Sequence, residues 1–446
     1  MRIDEIRLIN FRAFERFALQ LEPRLTVLVG RNGTGKTTVL EGLAVALGAW
    51  LSFFNASRDD RPIPRSAARF VTTMHDGVPS VATCYPVRVE ANGQTLMGSA
   101  GWARELRSAD GRTTTSGITS DGRTVLLEAN QVQKIRRDIE GGMADTEPIA
   151  LPVLAYYGTG RLWRHKRDKM PEKAGLKSRL QGYRAALEAA SDQKGFEAWM
   201  AWREEDRVQR LARAAEEGRP LSEVRSPELE GVSAAACACL EGARRIYYSA
   251  NYQELRVDFK DGSSLPFGAL SDGQRNLIAV AADIAWRATQ LNPSLGAEAP
   301  ARATGVVLID EVDLHLHPAW QWRVLDDLLH AFPGLQFVVT THSPQVMSAA
   351  PRGSVRLLDP DHQAHRVERI AGKDTNTILE DILGAPSRLK VIQEKLDELA
   401  RQIDDGQLVE AKALLAELSS ILGEDDTQIV AARWELSMAE TGNAPD

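Results

Sequence analysis

The sequence has few cysteines and no long apolar run. Its three cysteines, Cys84, Cys237 and Cys239, form no C-x-x-C pair, and the spacing of the last two has no matching second half for a zinc site. We therefore expect small buried thiols in a reducing cytosol. No stretch of about 18 apolar residues occurs, and positions 4 and 5 are acidic where a signal peptide needs basic and then apolar residues. These absences predict a cytoplasmic protein without membrane contact.

No charge of one sign dominates the chain. Its 446 residues carry a formal net charge of -7, with 26% charged and 43% hydrophobic residues. This balance is typical of a globular protein that buries a large core. It argues against a protein whose whole surface coats nucleic acid, although local basic regions are compatible with it.

Residues 30–37, with the sequence GRNGTGKT, fit the pattern G-x-x-x-x-G-K-[ST]. They follow an apolar run, Leu25–Val29, that predicts a buried strand, and they precede residues 38–47, which predict a helix. In this order, backbone N–H groups of the loop can surround phosphate oxygens at the positive end of the helix dipole. Lys36 would reach the β- and γ-phosphates and the Thr37 hydroxyl would reach Mg²⁺, so the pattern predicts a nucleoside triphosphate site.

Two further apolar runs end in candidate catalytic side chains. Residues 305–309 precede Asp310 and Glu311. At the end of a buried strand, Asp310 can hold hydrated Mg²⁺ and Glu311 can polarise water. Residues 336–341 predict another buried strand, which leads to His342. A neutral imidazole there can hydrogen-bond a γ-phosphate or its attacking water.

The segment before another predicted helix, Leu277–Thr289, offers a second anion site. Ser271 fits the N-cap position, and the backbone of residues 271–273 can present N–H groups to an anion. Further along the chain, His315 and His317 have no evident third metal ligand nearby, so we expect a packing or loop role for them rather than a metal site.

The first strands form a predicted hairpin, residues 3–8 and 17–21, with Arg12 in its turn. Arg12 is either a plain surface charge or, being close in sequence to the glycine-rich loop, a nucleotide contact. Residues 55–130 follow with short β-like runs and Asn-Gly and Asp-Gly turns, which predict an antiparallel β segment with long loops.

A basic segment opens a region of different character. Residues 161–179 contain eight Lys and Arg against two Asp and Glu, with Trp163 among them, and polar helical sequence continues to about residue 230. Two interpretations stay open: a solvated helical insertion, or a region that contacts nucleic-acid phosphates. The segment is too short for a pair of long coiled-coil arms.

The end of the chain is acidic and helical in pattern. Residues 391–446 contain thirteen acids against four bases, a charge that should repel nucleic acid. Apolar residues at spacings of 3 and 4 predict two amphipathic helices, at 389–403 and 408–422, with a third around Trp434. The region is either a helical cap on the core or a docking surface for a partner protein.

Together these motifs resemble those of ABC-type ATPases. The resemblance rests on residues 30–37, 270–274, 306–311, the Asp313 loop and 341–343, which are similar to the Walker A, signature, Walker B, D-loop and H-loop motifs. The wide split between the first two motifs, with the sequence NFRAF at 10–14, resembles the RecF/SMC/Rad50-like (AAA_21) branch. Within it, residues 156–161, 314–318 and 340–346 look like the PtuA ATPases of Septu and retron-linked antiphage systems. The signature carries Asp272 where many relatives have glycine.

The resemblance implies an α/β fold, an ABC-ATPase-type P-loop NTPase head with an antiparallel β subdomain, a helical insertion and a C-terminal helical hairpin region. The expected parts are an N-terminal ATPase lobe (1–160), a helical insertion (161–250), a C-terminal ATPase lobe (251–370) and an acidic C-terminal helical region (371–446).

The resemblance also implies a head-to-tail homodimer, or a higher oligomer, that holds ATP and Mg²⁺ between its protomers. The expected ATP contacts are Arg12, Gly30, Asn32, Gly33, Gly35, Lys36, Thr37 and Thr38 of one chain and Ser271, Gly273 and Gln274 of the other. Thr37 and Asp310 would hold Mg²⁺, and Glu311 and His342 would be catalytic. The glutamine loop is not evident, and Gln131, Gln133 and Arg161 are open candidates for it.

Two functions are compatible with the resemblance. One is an ATPase that acts as the sensor or regulatory subunit of an antiphage defence complex and controls a separate HNH-type nuclease. The other is a RecF/SMC-like repair or genome-maintenance ATPase that binds DNA directly. The chain lacks the room and the acidic motif for a Toprim nuclease after residue 360, so we do not expect it to cut DNA itself.

Overall fold

The computed structural model describes residues 1–52, 60–75, 78–95, 98–118, 124–125, 149–160, 179–189, 193–386 and 388–441. The chain divides into two compact units, residues 1–373 and 374–446. The strands are β1 Arg2–Phe11, β2 Phe14–Gln20, β3 Leu25–Val29, β4 Phe70–His75, β5 Val78–Thr83, β6 Val87–Thr95, β7 Gly98–Leu106, β8 Thr114–Ile118, β9 Thr124–Val125, β10 Val153–Tyr157, β11 Ala243–Ser249, β12 Glu254–Phe259, β13 Ser264–Pro266, β14 Gly305–Ile309, β15 Leu335–Thr340, β16 Val355–Leu358 and β17 Ala364–Val367.

The helices are α1 Lys36–Leu51, α2 Gln193–Glu216, α3 Pro227–Ala238, α4 Asp272–Leu291, α5 Ala299–Arg302, α6 Pro318–Gln321, α7 Val324–Ala331, α8 Pro344–Ala349, α9 Thr375–Asp381, α10 Lys390–Asp404, α11 Leu408–Leu422 and α12 Thr427–Thr441. The first unit ends before α9. Within the described residues, no helix is both long and apolar enough to cross a membrane.

A mainly parallel sheet forms the centre of the first unit, in the order β10-β14-β15-β3-β16-β17. Only the edge strand β17 pairs antiparallel, with β16. Every residue of β3, β14 and β15 is buried, so both faces of the sheet are covered, which explains the continuous apolar runs in the sequence. The carboxyl ends of β10, β14, β15 and β3 lie at one edge, where ligands bind in open α/β sheets.

A second sheet is antiparallel, in the order β2-β1-β6-β7-β8-β9. Its first hairpin confirms the predicted pair of strands, with Leu8 opposite Phe17. The buried amide of Gln336 ties this sheet to the parallel one, because it accepts from the N–H of Ile3 at 2.8 Å and donates to the carbonyl of Ile3 at 2.7 Å. The α/β fold with an antiparallel β part, predicted from the resemblance, is confirmed.

The described part of residues 161–250 is partly helical and partly β. The predicted insertion at 161–250 contains α2 and α3, but it also contains β11, which pairs with β12 in a small sheet of order β11-β12-β13. Residues 318–331 do not form one continuous helix, because the N–H of Arg323 bonds to the carbonyl three residues back, at Trp320. The chain there forms α6 and α7 instead of one helix.

The second unit contains the predicted helical hairpin and the third helix around Trp434, as α10, α11 and α12. These helices share a buried apolar core that includes Leu399, Leu418 and Ile429. Residues 374–446 contain sixteen acids and six bases, which gives this unit a formal charge of -10. The remaining 373 residues contain 48 bases and 45 acids. The acidic character of the protein therefore resides in its second unit.

Candidate ATP site

The loop between β3 and α1 has the backbone that the glycine-rich pattern predicts. Gly33 and Gly35 have φ angles of 85° and 99°, in the left-handed region that favours glycine. A Cβ at position 35 would lie 2.5 Å from the ring of Phe14, whereas position 33 has open space around it. Gly35 therefore allows the loop to pack tightly on β2, and Gly33 leaves the exposed side of the loop accessible.

Lys36 bends back over this loop. Its ammonium donates to the carbonyl oxygens of Gly30 and Arg31, both at 2.9 Å, and the side chain is buried. Burial lowers the pKa of Lys36, while the nearby carboxylates of Asp310 and Glu311 act in the opposite direction. The cation is thus held at the loop and close to both acids.

The carboxylate of Asp310 joins the loop helix to two strand ends. Its Oδ2 accepts from the Thr37 hydroxyl at 2.9 Å and its Oδ1 accepts from the Thr340 hydroxyl at 2.6 Å. Asp310 directly follows β14, and Thr340 ends the neighbouring strand β15. Both oxygens of this buried carboxylate therefore have hydroxyl partners, and Thr37 and Asp310 form a pair of hard oxygen ligands.

Glu311 and His342 lie beside this pair. The N–H of Glu311 donates to the Thr340 hydroxyl at 2.7 Å, and its φ of 48° is unusual for a residue other than glycine. Burial lowers the pKa of His342, and the positive charge of Lys36 lowers it further, against the opposite effect of Asp313 and Asp310. These effects keep the imidazole neutral near pH 7. The structure thus brings Lys36, Thr37, Asp310, Glu311 and His342 together.

Arg12 lies in the turn between β1 and β2, where its guanidinium pairs with Glu41 of α1 at 2.6 Å. Burial raises the pKa of Glu41, and Arg12 and Arg61 oppose that effect. Arg61 also lies over the Tyr156 ring, 5.8 Å from its centroid. The predicted nucleotide contact of Arg12 stays a prediction, and in this structure the side chain contacts an acid on the loop helix.

Sequence reasoning missed Glu41, Arg61 and His362. Glu41 had a visible signal, because it is the one acid in the apolar helix α1. His362 had no such signal in the sequence, because it is 328 residues from Thr34. In the structure its Nδ1 lies 3.2 Å from the carbonyl oxygen of Thr34. This histidine comes from the turn between β16 and β17 and contacts the edge of the ring of Phe14 as well.

The predicted signature residues lie at the start of α4. The Ser271 hydroxyl accepts from the N–H of Gln274 at 3.3 Å, and the Gln274 side chain accepts from the N–H of Ser271 at 3.1 Å, which is a complete capping box. A Cβ on Gly273 would lie 2.5 Å from the carbonyl oxygen of His315, and the Asn276 amide donates to the Leu314 carbonyl at 2.9 Å. The signature is therefore packed on the predicted D-loop.

The remaining predicted contacts are scattered. Asn32 is exposed in the loop, and Thr38 is half-buried in the first turn of α1. His317 accepts from the N–H of Ala319 at 3.3 Å, in line with a loop role. Among the described residues no group of three His, Cys, Asp or Glu side chains could hold a metal ion.

Two groups of predicted residues lie outside the described residues. They are the candidates for the glutamine loop, Gln131, Gln133 and Arg161, and the basic segment up to residue 178. Arg179, the last base of that segment, is described. Its guanidinium donates to the carbonyls of Leu291 at 2.8 Å and Ile149 at 2.7 Å. Arg179 therefore connects two backbone segments through hydrogen bonds. This structural role accounts for the arginine without a contact to phosphates.

Two protein-family models match parts of the chain that contain this site. A model described as an AAA domain (AAA_23) matches residues 5–213, and a second, described as an AAA domain, putative AbiEii toxin, Type IV TA system (AAA_21), matches residues 164–348. The two matches overlap at 164–213 and together cover residues 5–348. Both sides of the site fall within these matches, and the predicted AAA_21 relationship is confirmed.

Several curated proteins are similar to parts of this chain. The chain is 24% identical over 404 residues to a retron Vc95 probable ATPase of Vibrio cholerae serotype O1 biovar El Tor, a match that covers 80% of this chain and 74% of that one. It is 33% identical over 219 residues to a retron Ec83 probable ATPase of Escherichia coli, covering 48% and 40% of the two chains. A Septu protein PtuA of Bacillus mycoides (strain KBAB4) is 37% identical over 107 residues, covering 24% and 14%.

The match therefore spans less than half the length of the Escherichia coli relative. Among solved structures, an SMC head bound to the C-winged helix domain of ScpA has 16% sequence identity and a TM-score of 0.47, with 82% of this chain and 98% of that chain covered.

Proposed function

We propose that the protein binds and hydrolyses ATP with Mg²⁺ in a dimer, and acts as the regulatory subunit of an antiphage defence complex that controls a separate HNH-type nuclease. The observation that carries the ATPase part is the 2.9 Å hydrogen bond between Thr37 and Asp310, which joins the glycine-rich loop to the ends of β14 and β15. The names of the retron and Septu relatives support the defence part.

The residues fit ATP and Mg²⁺. The loop supplies backbone N–H groups and Lys36 for the β- and γ-phosphates, and the buried ammonium already lies against two loop carbonyls. The hydroxyl of Thr37 and the carboxylate of Asp310 are oxygen ligands of the kind that Mg²⁺ prefers. Bound Mg²⁺ would neutralise charge that develops on the phosphates.

Hydrolysis in such a site depends mainly on positioning and electrostatics. Glu311, fixed through its backbone to Thr340, would polarise the attacking water. His342 would donate or accept a hydrogen bond at the γ-phosphate or this water, and its lowered pKa leaves the ring neutral for either role. Arg12 would exchange its contact with Glu41 for the nucleotide.

The second half of the site would come from another protomer. Ser271, Gly273 and Gln274 form a capped helix start on the D-loop, where a γ-phosphate could meet the N-terminal end of α4. ATP would then hold two protomers together head to tail. An ATP-bound dimer would keep the nuclease inactive, and loss of ATP would release it, because a nuclease that binds only the ATP state shifts the assembly by differential affinity.

Complementation between two inactive variants tests the shared site. Lys36→Ala protein and Ser271→Arg protein should each have little ATP turnover, and a mixture should recover about one competent site per mixed dimer. Ser271→Ala serves as a control that removes the hydroxyl without adding bulk. Mixed dimers that form on gel filtration but recover no turnover would overturn the shared site. Full turnover by Lys36→Ala alone would overturn the assignment of ATP hydrolysis to the site that contains Lys36.

A further inference from the structure

A cavity of about 400 Å³ lies away from the ATP site, between α2, α3 and the edge strand β11. This volume is within the range of small-molecule sites in proteins. Its walls include the apolar side chains of Met200, Leu229 and Ile246 and a group of charged and aromatic residues from β11. No motif found in the sequence accounts for it.

A β-bulge places two consecutive arginines at this cavity. The pairing of β11 with β12 shifts register between Ala243 and Arg245, so Arg244 is the extra residue. Both arginines are exposed, whereas strict alternation would turn one of them inward. Arg244 has a 68% exposed side chain and only a long ion pair, 3.8 Å from Asp258.

The other charges at the cavity are already compensated. The carboxylate of Glu204 accepts two hydrogen bonds from Arg207, and that of Glu230 accepts from Arg225. Within the part of the chain that the structure describes, Arg245 has no ion pair. The positive charge that the cavity can offer to a ligand therefore comes from Arg244 and Arg245.

Flat side chains continue from the cavity along one face of the sheet. The guanidinium of Arg245 lies 4.7 Å from the centroid of the Tyr247 ring. Tyr247 is directly opposite Arg256 on β12, so the two share a face. Arg256 in turn lies 4.7 Å from the centroid of the Tyr252 ring, whose side chain is 69% exposed. Alternating guanidinium and phenol planes are the surfaces on which nucleic-acid bases stack.

We propose that the cavity and the Arg245–Tyr247–Arg256–Tyr252 row bind a nucleotide unit, with its phosphate on Arg244 and Arg245 and its base against Tyr247. The row extends beyond the volume that one nucleotide fills, so the fitting ligand is a single strand of nucleic acid whose next base stacks on Tyr252. This site is separate from the ATP site and does not depend on ATP hydrolysis.

Fluorescence anisotropy of labelled twelve-nucleotide strands of deoxythymidine and uridine, mixed with the full-length protein at 50 and 200 mM salt, tests the proposal. The pair Arg244→Gln/Arg245→Gln should weaken binding at least tenfold and reduce the salt slope by about 0.7, the contribution of the one single-strand phosphate that both arginines contact. Tyr252→Ala should weaken binding about tenfold through lost stacking. Arg107→Gln/Arg112→Gln removes the same charge from exposed positions elsewhere and should leave binding unchanged.

Competition with unlabelled uridine monophosphate tests whether the ligand of the proposed site is a free nucleotide or a single strand. Displacement of the labelled strand at similar concentrations would support the site with a free nucleotide as its ligand, and displacement only by strands would support the strand. Strand binding by the wild-type protein that Arg244→Gln/Arg245→Gln leaves unchanged would overturn the proposal, and so would a wild-type protein that binds neither ligand. Wild-type ATP turnover in the variants verifies that they are folded, and it keeps this test apart from that of the ATP site.

Discussion

The Thr37 hydroxyl donates a 2.9 Å hydrogen bond to Asp310, although 273 residues separate them in the chain. This bond joins two distant parts of the site, because Thr37 lies in the first turn of α1 and Asp310 follows the buried strand β14. Thr340 holds the other carboxylate oxygen and the backbone of Glu311 at the same time. One hydroxyl at the end of β15 therefore orients both predicted acids.

Thr340→Val tests the positioning role of the Thr340 hydroxyl while it leaves Asp310 and Glu311 in place. The valine has nearly the same shape but leaves an oxygen of Asp310 and the N–H of Glu311 without the hydroxyl, at a cost of about 1–3 kcal/mol. We expect a lower thermal midpoint and reduced turnover at limiting Mg²⁺. Thr340→Ser keeps the hydroxyl and should restore both. A valine variant with wild-type magnesium dependence would contradict the role given to Thr340.

Glu311→Gln should retain ATP but lose most turnover. The amide keeps the size of the side chain and cannot act as a base, so turnover should fall on the order of 100-fold or more. ATP affinity should change little, and the trapped nucleotide should increase the dimer fraction on gel filtration. Near wild-type turnover in this variant would assign water activation to another group.

The pH dependence of turnover should reflect His342. Its folded pKa lies below the ordinary value of 6.5, so the ring stays neutral at and above pH 6.5 and becomes protonated only at lower pH. Because the unfolded state takes up this proton first, the group has no effect on stability above pH 6.5 and destabilises the fold as the pH falls below it. We expect flat turnover from pH 8 to 6.5 and a decline below.

His342→Gln provides the control for this profile. The glutamine side chain can still make a hydrogen bond but cannot titrate. The variant should turn over ATP more slowly than the wild type, and its turnover should not show the decline below pH 6.5 that we attribute to His342. If the wild-type enzyme loses half its activity above pH 6.5, or if the glutamine variant has the same acid limb, the assignment to His342 is wrong.

A buried triad links α4, the helix that starts at the signature, to β10. The Tyr157 hydroxyl donates to Asp283 at 2.6 Å, and Arg287 donates to the same oxygen at 2.7 Å. Asp283→Leu would leave Arg287 without its charge partner, at a cost of about 3–5 kcal/mol. Its thermal midpoint should fall more than that of Asp283→Leu/Arg287→Met, which removes both charges. Additive losses in calorimetry would show that the pair is not coupled.

The local parts of the site could be predicted from the sequence, since residues 30–37 and the strands before Asp310 and His342 are continuous segments with clear patterns. The partners that come from distant segments could not. Nothing in the sequence indicates that His362 contacts Thr34, because only the tertiary fold brings the β16–β17 turn to the loop.

Strand β11 was missed for a different reason. The bulge at Arg244 inserts one residue into the alternation, so the period of two that identifies a strand is broken where it should begin. The helical pattern of the sequence that forms α2 and α3 then led to the prediction of a helical insertion up to residue 250. The interruption between α6 and α7 was hidden in the same way, because Trp322 and Arg323 are compatible with a helix by propensity.

The second unit should dock the nuclease. Its formal charge of -10 suits a basic partner, and α12 presents Val430 and Trp434, 51% and 57% exposed, one helical turn apart, while Ile429 and Leu436 are buried. Exposed tryptophans often carry much of the binding energy at interfaces. We expect deletion of residues 374–446 to leave ATP turnover intact and to abolish capture of the proposed HNH-type nuclease.

Full-length variants make this last prediction independent of the deletion. Val430→Ser/Trp434→Ser should weaken nuclease binding by on the order of 30-fold, the effect of losing a hot spot of about 2 kcal/mol. Val409→Ser, which removes a 79% exposed apolar side chain from α11, is the matched control and should bind normally. Calorimetric titration of the nuclease into each variant measures the difference. Unchanged affinity in both the deletion and the double variant would exclude the second unit as the dock, because neither its charge nor its exposed tryptophan would then contribute to the complex.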